Sequence, residues 1–455
     1  MKFKHLLFST LFVTIANNAN AQKFIKTTSV EEYFNLTGVS NEGKMVGYPA
    51  FTMPYYIWTQ ESGDMQNIGG VGAGQGFGGQ AKFSNDGKFL SGTSINEETG
   101  LGEISRYNVE AKKWETLGSL GFNNDYSTGS GFNISGDGKT AVGGGWVEGS
   151  RMYAIVWNEK EGLINLGTLV EKRNTRATAV SEDGGVVVGF QENKGGDRLA
   201  TIWKKNPVGG YFPNIYIYKD LKGDLNDPYN ILPEITAVSG DGKWVGGVNS
   251  IASPNVWIWS EEKGLVDLGS LATSGNYITS WITSINYDGS VVLGYTISKQ
   301  WVDSAPVYTP FIWTKEEGIK DFNDYVTNTL KFDLKGDQIF VPTMLSANEK
   351  YIVGWGLDGT YIKVFRIQLL NLLTDEIQSS EKATLYPNPV TNVLNIDAKE
   401  DISEIKVYNM AGQQVLSKEA RSKNPKIDMS TLKAGVYVVE VTSDSNTTTH
   451  KVIKK

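Results

Sequence analysis

The sequence predicts an all-β protein in which a seven-bladed β-propeller is followed by a small C-terminal β-sandwich. Three observations lead to this fold class. One turn motif recurs seven times, each copy lies beside short β-branched strands, and the C-terminal tail follows a different strand pattern. The composition agrees, because 51 glycines, 13 prolines and 11% aromatic residues in 455 positions are typical of a folded, turn-rich β protein.

The repeated turn reads Ser-x-Asp-Gly-Lys and is followed by a β-branched run that ends in glycine. Five copies begin at Ser84, Ser135, Ser181, Ser239 and Asn286, and two degenerate copies begin at Ser40 and Ser346. The starts lie 44 to 60 residues apart, a spacing typical of one sheet per repeat. Because glycine supplies the positive φ of a tight hairpin, the Asp-Gly pair predicts a turn between the first and second strands of each unit.

A second landmark is a strand that ends in an aromatic residue about 20 positions after the turn. The strand-end residues are Trp58, Tyr107, Trp157, Trp203, Trp259, Trp313 and Phe365. Tryptophans that recur at one position predict a core between sheets rather than a ligand platform. A Leu-Gly-x-Leu ending in several units completes four short strands, for example residues 235–239, 244–248, 256–260 and 264–268.

Four strands in each of seven repeats predict a propeller, in which radial closure protects the sheet edges. A solenoid or a pair of sandwiches is the alternative. The seventh unit ends after its third strand, at residues 361–369, and residues 29–36 precede the first turn as a strand without a sheet. We therefore expect residues 29–36 to supply the fourth strand of the last sheet.

The repeats resemble the extracellular repeats of the HAF family over roughly residues 37–368. The shared features are the Ser-x-Asp-Gly turn, the strand ending in Trp and the Leu-Gly-x-Leu ending. The resemblance implies an architecture and says almost nothing about chemistry.

The first 21 residues have the pattern of a secretory signal peptide. Lys2 and Lys4 form a positive start, residues 6–15 are mostly apolar, and residues 19–21 read Ala-Asn-Ala, the small residues of a cleavage site. The apolar run is about half of the roughly 20 residues that a membrane-spanning helix needs. The sequence therefore predicts cleavage after Ala21 and an exported protein without a membrane span.

The C-terminal tail reads LYPNPVTNVLNI, EIKVYNMAGQQVLSKE, MSTLKAGVYVVEV and KVIKK from residue 385 onwards. By itself this alternation of strands and turns predicts a β-sandwich of about 70 residues, and an ordinary carbohydrate-binding or adhesive sandwich is one reading of it. The tail closely resembles the type A C-terminal sorting domain of the type IX secretion system of the Bacteroidota. The resemblance implies export by the type IX machinery and removal of the domain, with release or attachment to the cell surface.

These patterns divide the chain into four segments. They are a signal peptide at 1–21, the propeller at 22–372, a linker at 373–384 and the sorting domain at 385–455. We expect the protein to be a monomer.

Composition excludes several classes of chemistry. The chain has no cysteine, and its two histidines, His5 and His450, lie near its ends. Thiolate sites, histidine triads and histidine-ligated metals are therefore excluded from the body of the protein. We expect no cofactor, although an acidic loop at residues 224–227 leaves calcium open. The formal net charge of −7 argues against nucleic-acid binding, which depends on Lys and Arg neutralising phosphates.

Candidate binding residues follow from the direction of the chain. In an up-and-down sheet, the connections between strands two and three and those between successive sheets emerge on one face, opposite the Asp-Gly turns. We call this the loop face. Its connections vary in composition, and variable loops on a rigid scaffold are the usual place for binding. The predicted ligand-binding residues are Trp146, Glu148, Arg151, Arg198, Trp301, Asp303 and Trp355. We place Tyr48, Tyr55, Arg173, Arg176, Asp197, Tyr277, Trp281 and Tyr308 on the same face.

Aromatic and Arg side chains mixed with carboxylates suit stacking on sugar rings and hydrogen bonding to hydroxyl or acidic groups, although an ordinary solvated surface has a similar composition. The sequence therefore favours a secreted or cell-surface propeller that binds a glycan or protein and has no assigned catalytic residue. A polysaccharide-degrading glycosidase is the alternative, because it needs only two carboxylates roughly 5 to 9.5 Å apart and Glu148, Asp197 and Asp303 are available. A structural component of the cell surface is the third hypothesis.

Overall fold

The computed structural model describes residues 23–27, 34–50, 54–73, 78–211, 215–216, 231–249, 253–271, 275, 277–359, 361–369, 383–398, 400–409, 414–443 and 447–455. Strands account for 57% of the residues and helices for 2%, so the predicted all-β class is confirmed. The chain divides into two compact units, Met1–Leu370 and Asn371–Lys455. Both the predicted signal peptide and most of the predicted linker lie outside the described residues.

The first unit contains 27 named strands and one short helical segment, α1 (Phe322–Asp324) with a π-helical turn at Tyr325–Thr329. The strands of the first half are β1 (Lys23–Thr27), β2 (Phe34–Val39), β3 (Met45–Pro49), β4 (Tyr55–Trp58), β5 (Met65–Gly69), β6 (Phe89–Ile95), β7 (Gly102–Asn108), β8 (Lys113–Thr116), β9 (Gly129–Ile134), β10 (Thr140–Val147), β11 (Arg151–Asn158) and β12 (Gly162–Asn165). Those of the second half are β13 (Thr175–Val180), β14 (Val186–Glu192), β15 (Arg198–Lys204), β16 (Ile215–Tyr216), β17 (Ile235–Val238), β18 (Val245–Gly247), β19 (Val256–Ser260), β20 (Gly264–Gly269), β21 (Tyr277–Ile285), β22 (Val291–Lys299), β23 (Val307–Thr314), β24 (Gly318–Asp321), β25 (Gln338–Leu345), β26 (Tyr351–Asp358) and β27 (Tyr361–Gln368).

Within the described residues, these strands form seven open antiparallel sheets, numbered here in chain order. Sheet 1 is β2–β5, sheet 2 is β6–β8, sheet 3 is β9–β12, sheet 4 is β13–β16, sheet 5 is β17–β20, sheet 6 is β21–β24, and sheet 7 is β25–β27 with β1 at its edge. In sheet 2 an irregular segment takes the innermost position. It is joined to β6 by a hydrogen bond from the Ser91 N–H to the Lys82 carbonyl. The four strands expected around the Ser239 turn agree with β17–β20 to within one residue at each end.

The Ser-x-Asp-Gly turns fold as the sequence predicts. In the copies at Ser84, Ser135, Ser181 and Ser239 the Ser hydroxyl donates to the Asp carboxylate at 2.7 to 2.8 Å and accepts the N–H five residues further on at 2.9 to 3.0 Å. The turn glycine has a positive φ, for example 74° at Gly138, a conformation that costs glycine little. The side chain thus satisfies backbone groups that the hairpin leaves unpaired.

An N-terminal strand completes the last sheet, but the predicted segment is wrong. The strand is β1, which pairs with β27 from Lys23 opposite Gln368 to Thr27 opposite Val364. Of the predicted residues 29–36, residues 34–36 belong to β2, which pairs with β3 in sheet 1, and residues 29–33 lie outside the described residues. The reason is local, because β2 leads directly into the Ser40 turn and its hairpin partner must be the strand on the other side of that turn.

Seven hydrophobic clusters fill the first unit, and each combines residues of two neighbouring sheets. One of them joins the first sheet to the last, since Leu36 and Trp58 pack in the same cluster as Val353 and Val364. Each strand-end aromatic residue belongs to a different cluster or packs against it. Their predicted role as core between sheets is confirmed, and the arrangement of the sheets is propeller-like.

A buried arginine also connects sheet 7 to sheet 1. Arg366 on β27 is 2% exposed, and its guanidinium donates to the Gly43 carbonyl at 2.6 Å and to the Gln60 side chain at 3.1 Å. It lies 4.5 Å from the ring centroid of Trp58 and 5.1 Å from that of Tyr351. Arg106 on β7 makes the equivalent bond to the carbonyl of Gly138, in the turn of the next sheet, at 3.0 Å.

The second unit consists of two sheets around its own core. Its strands are β28 (Ala383–Tyr386), β29 (Val393–Ala398), β30 (Ile402–Asn409), β31 (Gln414–Ser422), β32 (Lys426–Asp428), β33 (Gly435–Ser443) and β34 (Thr447–Lys454). One sheet has the order β28-β29-β32 and the other β31-β30-β33-β34. Alternate residues of these strands, such as Leu394, Ile405 and Val439, are fully buried in a single cluster.

Candidate functional site

A cavity of about 540 Å³ lies among the sheets of the first unit. Its lining includes a residue from the innermost segment of every sheet, in order Thr37, Lys82, Asn133, Thr178, Thr236, Thr283 and Thr343. A volume of this size is typical of a pocket for a small ligand or a short oligomer. One end of the cavity faces the Asp-Gly turns and the other faces the loop face; we call them the turn end and the loop end.

The turn end is tied together by hydrogen bonds between successive turns. In four of the seven links, the second residue of one turn donates its backbone N–H to the carbonyl of the second residue of the next turn. These residues are, in order, Asn41, Asn85, Gly136, Glu182 and Gly240. Asp241 N–H continues the series to the Tyr287 carbonyl at 3.0 Å. Side chains make the last two links, from Asn286 to Glu349 at 3.0 Å and between Asn348 and Asn41 at 2.8 Å. The turns of the seven units are therefore joined in a continuous series.

Repeated threonines tie the inner strands together further up the cavity wall. Thr37, Thr178, Thr236, Thr283 and Thr343 each stand three residues before the first residue of a turn. The inner strands shift register at these positions, as expected for β-bulges that bend a strand. In sheets 1, 5 and 6 the hydroxyl donates to a carbonyl of the next inner strand, at 2.5 to 2.7 Å.

The loop end carries a charged cluster that does not repeat. Glu234, which is 5% exposed, accepts Arg176 at 2.7 Å and Arg198 at 2.8 Å through its two carboxylate oxygens. Thr178 donates to the first of these oxygens at 2.9 Å. The Arg176 and Arg198 guanidinium groups both lie over the ring of Phe190, 5.1 and 4.2 Å from its centroid. Two cations thus surround one carboxylate at the edge of the cavity.

Five aromatic side chains from sheets 6 and 7 form what we call the aromatic wall. Trp281 stacks on Tyr295 with a centroid distance of 5.2 Å and an interplanar angle of 15°. Tyr308 stacks on Phe340 at 5.2 Å and 8°, and both meet Trp355 edge to face. Trp281, Tyr295 and Trp355 line the cavity. The wall is half-buried, and burial raises the pKa of Tyr295.

Lys82 is a cation in the cavity wall that forms no ion pair with any described residue. The described residues give its ammonium group no ion pair and no hydrogen bond, although the structure resolves 12 other Lys or Arg ion pairs. Burial lowers the pKa of Lys82 to about 8. The group therefore still carries its charge at neutral pH.

The predicted site residues fall into two groups. Arg198 and Trp355 line the cavity. Trp146 is half-buried and donates to the Ser127 hydroxyl at 3.0 Å, while Glu148 and Arg151 are exposed at the β10–β11 connection. Trp301, which is 67% exposed, and Asp303 lie on the β22–β23 connection. These five residues belong to sheets 3 and 6 and do not line the cavity, and their role in binding stays a prediction.

Two further expectations are changed by the geometry. Tyr55 is fully buried and donates to the carbonyls of Val71 and Gly79, both at 2.7 Å, so its hydroxyl is used within the fold. The carboxylates that line the cavity are Glu182 and Glu234, whereas Glu148, Asp197 and Asp303 are exposed on loops of different sheets.

Sequence reasoning missed Lys82, Glu234, Tyr295 and Phe340. A comparison of the units offers one signal, because Lys82 stands two residues before its turn, where the other six units have Gly, Asn, Ala, Ala, Ser and Met. A single charge at a position that is otherwise small or uncharged marks a departure from the repeat. Tyr295 and Phe340 lie on β22 and β25, and Glu234 lies directly before β17, where nothing in the repeat pattern distinguishes them.

Within the part of the chain that the structure describes, no group of three or more acidic or histidine side chains could hold a metal ion. The acidic loop at residues 224–227 lies outside the described residues. No described helix is long and apolar enough to cross a membrane.

The C-terminal unit matches a known family. A model of the secretion system C-terminal sorting domain matches residues 384–455. The same tail region is 41% identical over 76 residues to β-agarase D of Zobellia galactanivorans, a match that covers 17% of this chain and 15% of the agarase. The chain thus spans about a seventh of the length of this curated relative. The sorting domain indicates a protein that is secreted or held at the cell surface by type IX export.

Solved structures resemble the first unit in fold. An oligogalacturonate lyase from Vibrio parahaemolyticus is 12% identical, with 77% of this chain and 98% of that chain covered and a TM-score of 0.46. The β-propeller domain of the trilobed protease from Pyrococcus furiosus is 11% identical, with 75% and 94% covered and a TM-score of 0.45. The similarity concerns the fold alone.

Proposed function

We propose that the first unit is a closed seven-bladed β-propeller of HAF-type repeats that binds a glycan at the loop end of its cavity, once the type IX system has exported the protein. Closure is supported by the cluster that joins sheet 7 to sheet 1 and by the continuous series of turn hydrogen bonds. A closed ring leaves the loop end as the variable surface of a rigid scaffold, which suits recognition.

The aromatic wall is the observation on which glycan binding rests. Sugar rings present apolar C–H faces and a rim of hydroxyls, so a site for them combines flat aromatic faces with charged or polar donors. Trp281, Tyr295 and Trp355 offer the aromatic faces at the cavity, and the partly exposed Arg198 belongs to the same lining. Rings that stack on one another are held rigid, which lowers the entropy lost on binding.

The test is the binding of soluble oligosaccharides to the full-length protein by isothermal titration calorimetry. The panel consists of neutral, carboxylated and sulfated chains of four to eight sugars, and the variants are Trp281→Ala and Trp301→Ala. We expect Trp281→Ala to weaken binding about tenfold, since a lost aromatic contact costs on the order of 1 kcal/mol. Trp301→Ala is the comparison variant, because Trp301 is also a predicted binding residue but its ring lies on an exposed loop and does not line the cavity.

Equal losses in both variants would place the site on the outer loops, and no binding to any sugar would reject the glycan proposal. In that case a protein ligand on the same face and a structural role at the cell surface become the leading alternatives. Co-purification with envelope proteins distinguishes the structural role.

The glycosidase alternative is less well supported by the site. It needs an acid and a second carboxylate, but Glu234 is held by two arginines, and Glu182 belongs to the turn series at the opposite end of the cavity. Release of new reducing ends from the same sugar panel, abolished by Glu234→Gln, would restore it.

A further inference from the structure

We propose that Lys82 makes the cavity an oxyanion site and that the ligand is an acidic glycan bearing carboxylate or sulfate groups. This inference rests on the glycan binding proposed above and specifies the chemical class of the sugar. Its starting point is a cation in the wall of a ligand-sized cavity for which the described part of the chain supplies no counter-ion.

The position of Lys82 directs it to the cavity. Gln80 and Lys82 stand two residues apart on the innermost segment of sheet 2, so their side chains share one face of that segment, and both line the cavity. Asn133 occupies the corresponding place in sheet 3 and also lines it. Its amide oxygen accepts the Ile134 N–H at 2.7 Å, which leaves the amide nitrogen as a donor. One ammonium with neighbouring amides is a suitable donor set for a carboxylate or sulfate.

The charges of the lining point the same way. The charged residues of the lining are three cations, Lys82, Arg176 and Arg198, and two carboxylates, Glu182 and Glu234. Glu234 is already engaged by both arginines. The cavity therefore carries a net positive charge in a protein whose formal net charge is −7. A positive pocket in a negative protein attracts anions selectively to that place.

Energetics favour an external partner. Lys82 is half-buried, and even partial burial of a charge without a counter-ion is unfavourable to folding. The six corresponding positions in the other units carry no charge, so the fold does not need a cation here. An anionic ligand would supply the missing partner and would gain a charge-assisted hydrogen bond in a place shielded from solvent.

The experiment measures binding to the full-length protein with sugars paired by charge. One pair is oligogalacturonate and its methyl ester; the other is sulfated carrageenan oligosaccharide and neutral agarose oligosaccharide of equal length. The variants are Lys82→Met, the charge-preserving Lys82→Arg, and Lys88→Met as a control, since Lys88 is exposed at the neighbouring turn and pairs with Asp86. Circular dichroism verifies that each variant is folded.

We expect the wild type to prefer the acidic member of at least one pair by tenfold or more, with an affinity that falls as salt is added. Lys82→Met removes this preference, while Lys82→Arg and Lys88→Met keep it. The pair that responds identifies the oxyanion as carboxylate or sulfate.

Equal affinity for acidic and neutral members, or a preference that persists in Lys82→Met, would overturn the inference while leaving glycan binding intact. Loss of sugar binding in Trp281→Ala but not in Lys82→Met would likewise contradict the role of Lys82 and support the proposed glycan site. If none of the four sugars binds to the wild type, both the inference and the proposed glycan function are wrong.

Discussion

The two ends of the cavity are built from opposite kinds of sequence. At the turn end every unit supplies nearly the same residues, and their polar groups bond to one another around the series from Asn41 to Asn348. At the loop end the units supply different kinds of residue at most positions, and only the Tyr after the run-ending glycine recurs in the lining, as Tyr48 and Tyr295. Sheet 4 provides arginines, the segment before sheet 5 a glutamate, and sheets 6 and 7 aromatic rings. The comparison teaches that repeated residues hold the sheets together, whereas residues that break the repeat are available for function.

Hydrogen bonding separates the two ends as well. The turn Ser and Asp side chains satisfy each other and the nearby backbone, so little polar capacity is left. At the loop end the Nε atom of Arg176 is buried and has no hydrogen-bond partner among the described residues, a property that it shares with the Nε atom of Arg366 beside the Gly43 turn. Between the two ends, Lys82 has no ion pair among the described residues, and the proposed anionic ligand would supply one.

The largest effect is expected from a substitution that breaks the connection between the last sheet and the first. Arg366→Ala removes two hydrogen bonds, including the one to the Gly43 carbonyl, and two ring contacts from a fully packed position. We expect the free energy of unfolding to fall by about 3 kcal/mol, typical of a large buried side chain replaced by Ala. Urea denaturation followed by tryptophan fluorescence measures it.

Arg151→Ala is the control for this prediction, because Arg151 is an exposed arginine on the loop face and should change stability by less than about 0.5 kcal/mol. A loss in Arg366→Ala as small as that of the control would mean that the contact between sheets 7 and 1 does not limit the stability of the first unit.

The second prediction concerns the free energy of unfolding that the protein loses by holding the charged Lys82 in the cavity wall. Its pKa is about 8 in the folded chain and about 10.4 in an unfolded one, so below pH 8 the folded state is penalised for holding the charged form. The unfolded state binds more protons between pH 8 and 10.4, and stability must rise with pH across that window. Lys82→Met removes the penalty, and we expect it to stabilise the protein by about 2 kcal/mol at pH 7, a gain that disappears near pH 10.4.

The measurement is the difference in unfolding free energy between wild type and Lys82→Met at pH 7 and pH 10, because the difference cancels groups that titrate in both proteins. The other ionisable groups facing the cavity are Arg176, Arg198, Glu182, Glu234 and the tyrosines Tyr48, Tyr287 and Tyr295. Burial raises the pKa of Tyr48 to about 12 and that of Tyr295 also upwards, which moves both away from the window. If the difference in unfolding free energy between wild type and Lys82→Met is the same at pH 7 and pH 10, Lys82 already has a partner in the free protein.

The sequence could predict the repeated parts of the structure better than the parts that depart from the repeat. The Asp-Gly turns, the strands around Ser239 and the core position of Trp203 were predictable, because each is enforced by local geometry and repeated several times. The closing strand was placed in the wrong segment, since Lys23–Thr27 carries no turn or repeat signal and is defined only by its partner β27. The aromatic wall was predictable in part, as Trp281, Tyr308 and Trp355 lie near loops. Tyr295 joins it as the cross-strand partner of Trp281, and Phe340 joins it by stacking on Tyr308 of the neighbouring sheet, and neither pairing is visible in a single strand.

The smallest expected effect tests whether one repeated turn matters by itself. Ser84→Ala removes a hydroxyl that donates to Asp86 at 2.8 Å and accepts the Phe89 N–H at 3.0 Å. Burial raises the pKa of Asp86, but hydrogen bonds from Lys88 and Ser84 outweigh it and leave that pKa lowered, so the folded state favours the carboxylate. We expect a loss of about 1.5 kcal/mol at pH 7, the usual cost of leaving a buried N–H unpaired. Because the hydroxyl bond helps to lower the Asp86 pKa, part of that loss should disappear as the pH falls below about 4.

Ser119→Ala, at an exposed serine outside the turns, is the control in the same denaturation series. A cost below about 0.5 kcal/mol for Ser84→Ala would mean that the neighbouring turns compensate for the loss of one turn hydrogen bond, and that single changes matter more at the loop end, where most residues have no equivalent in another unit.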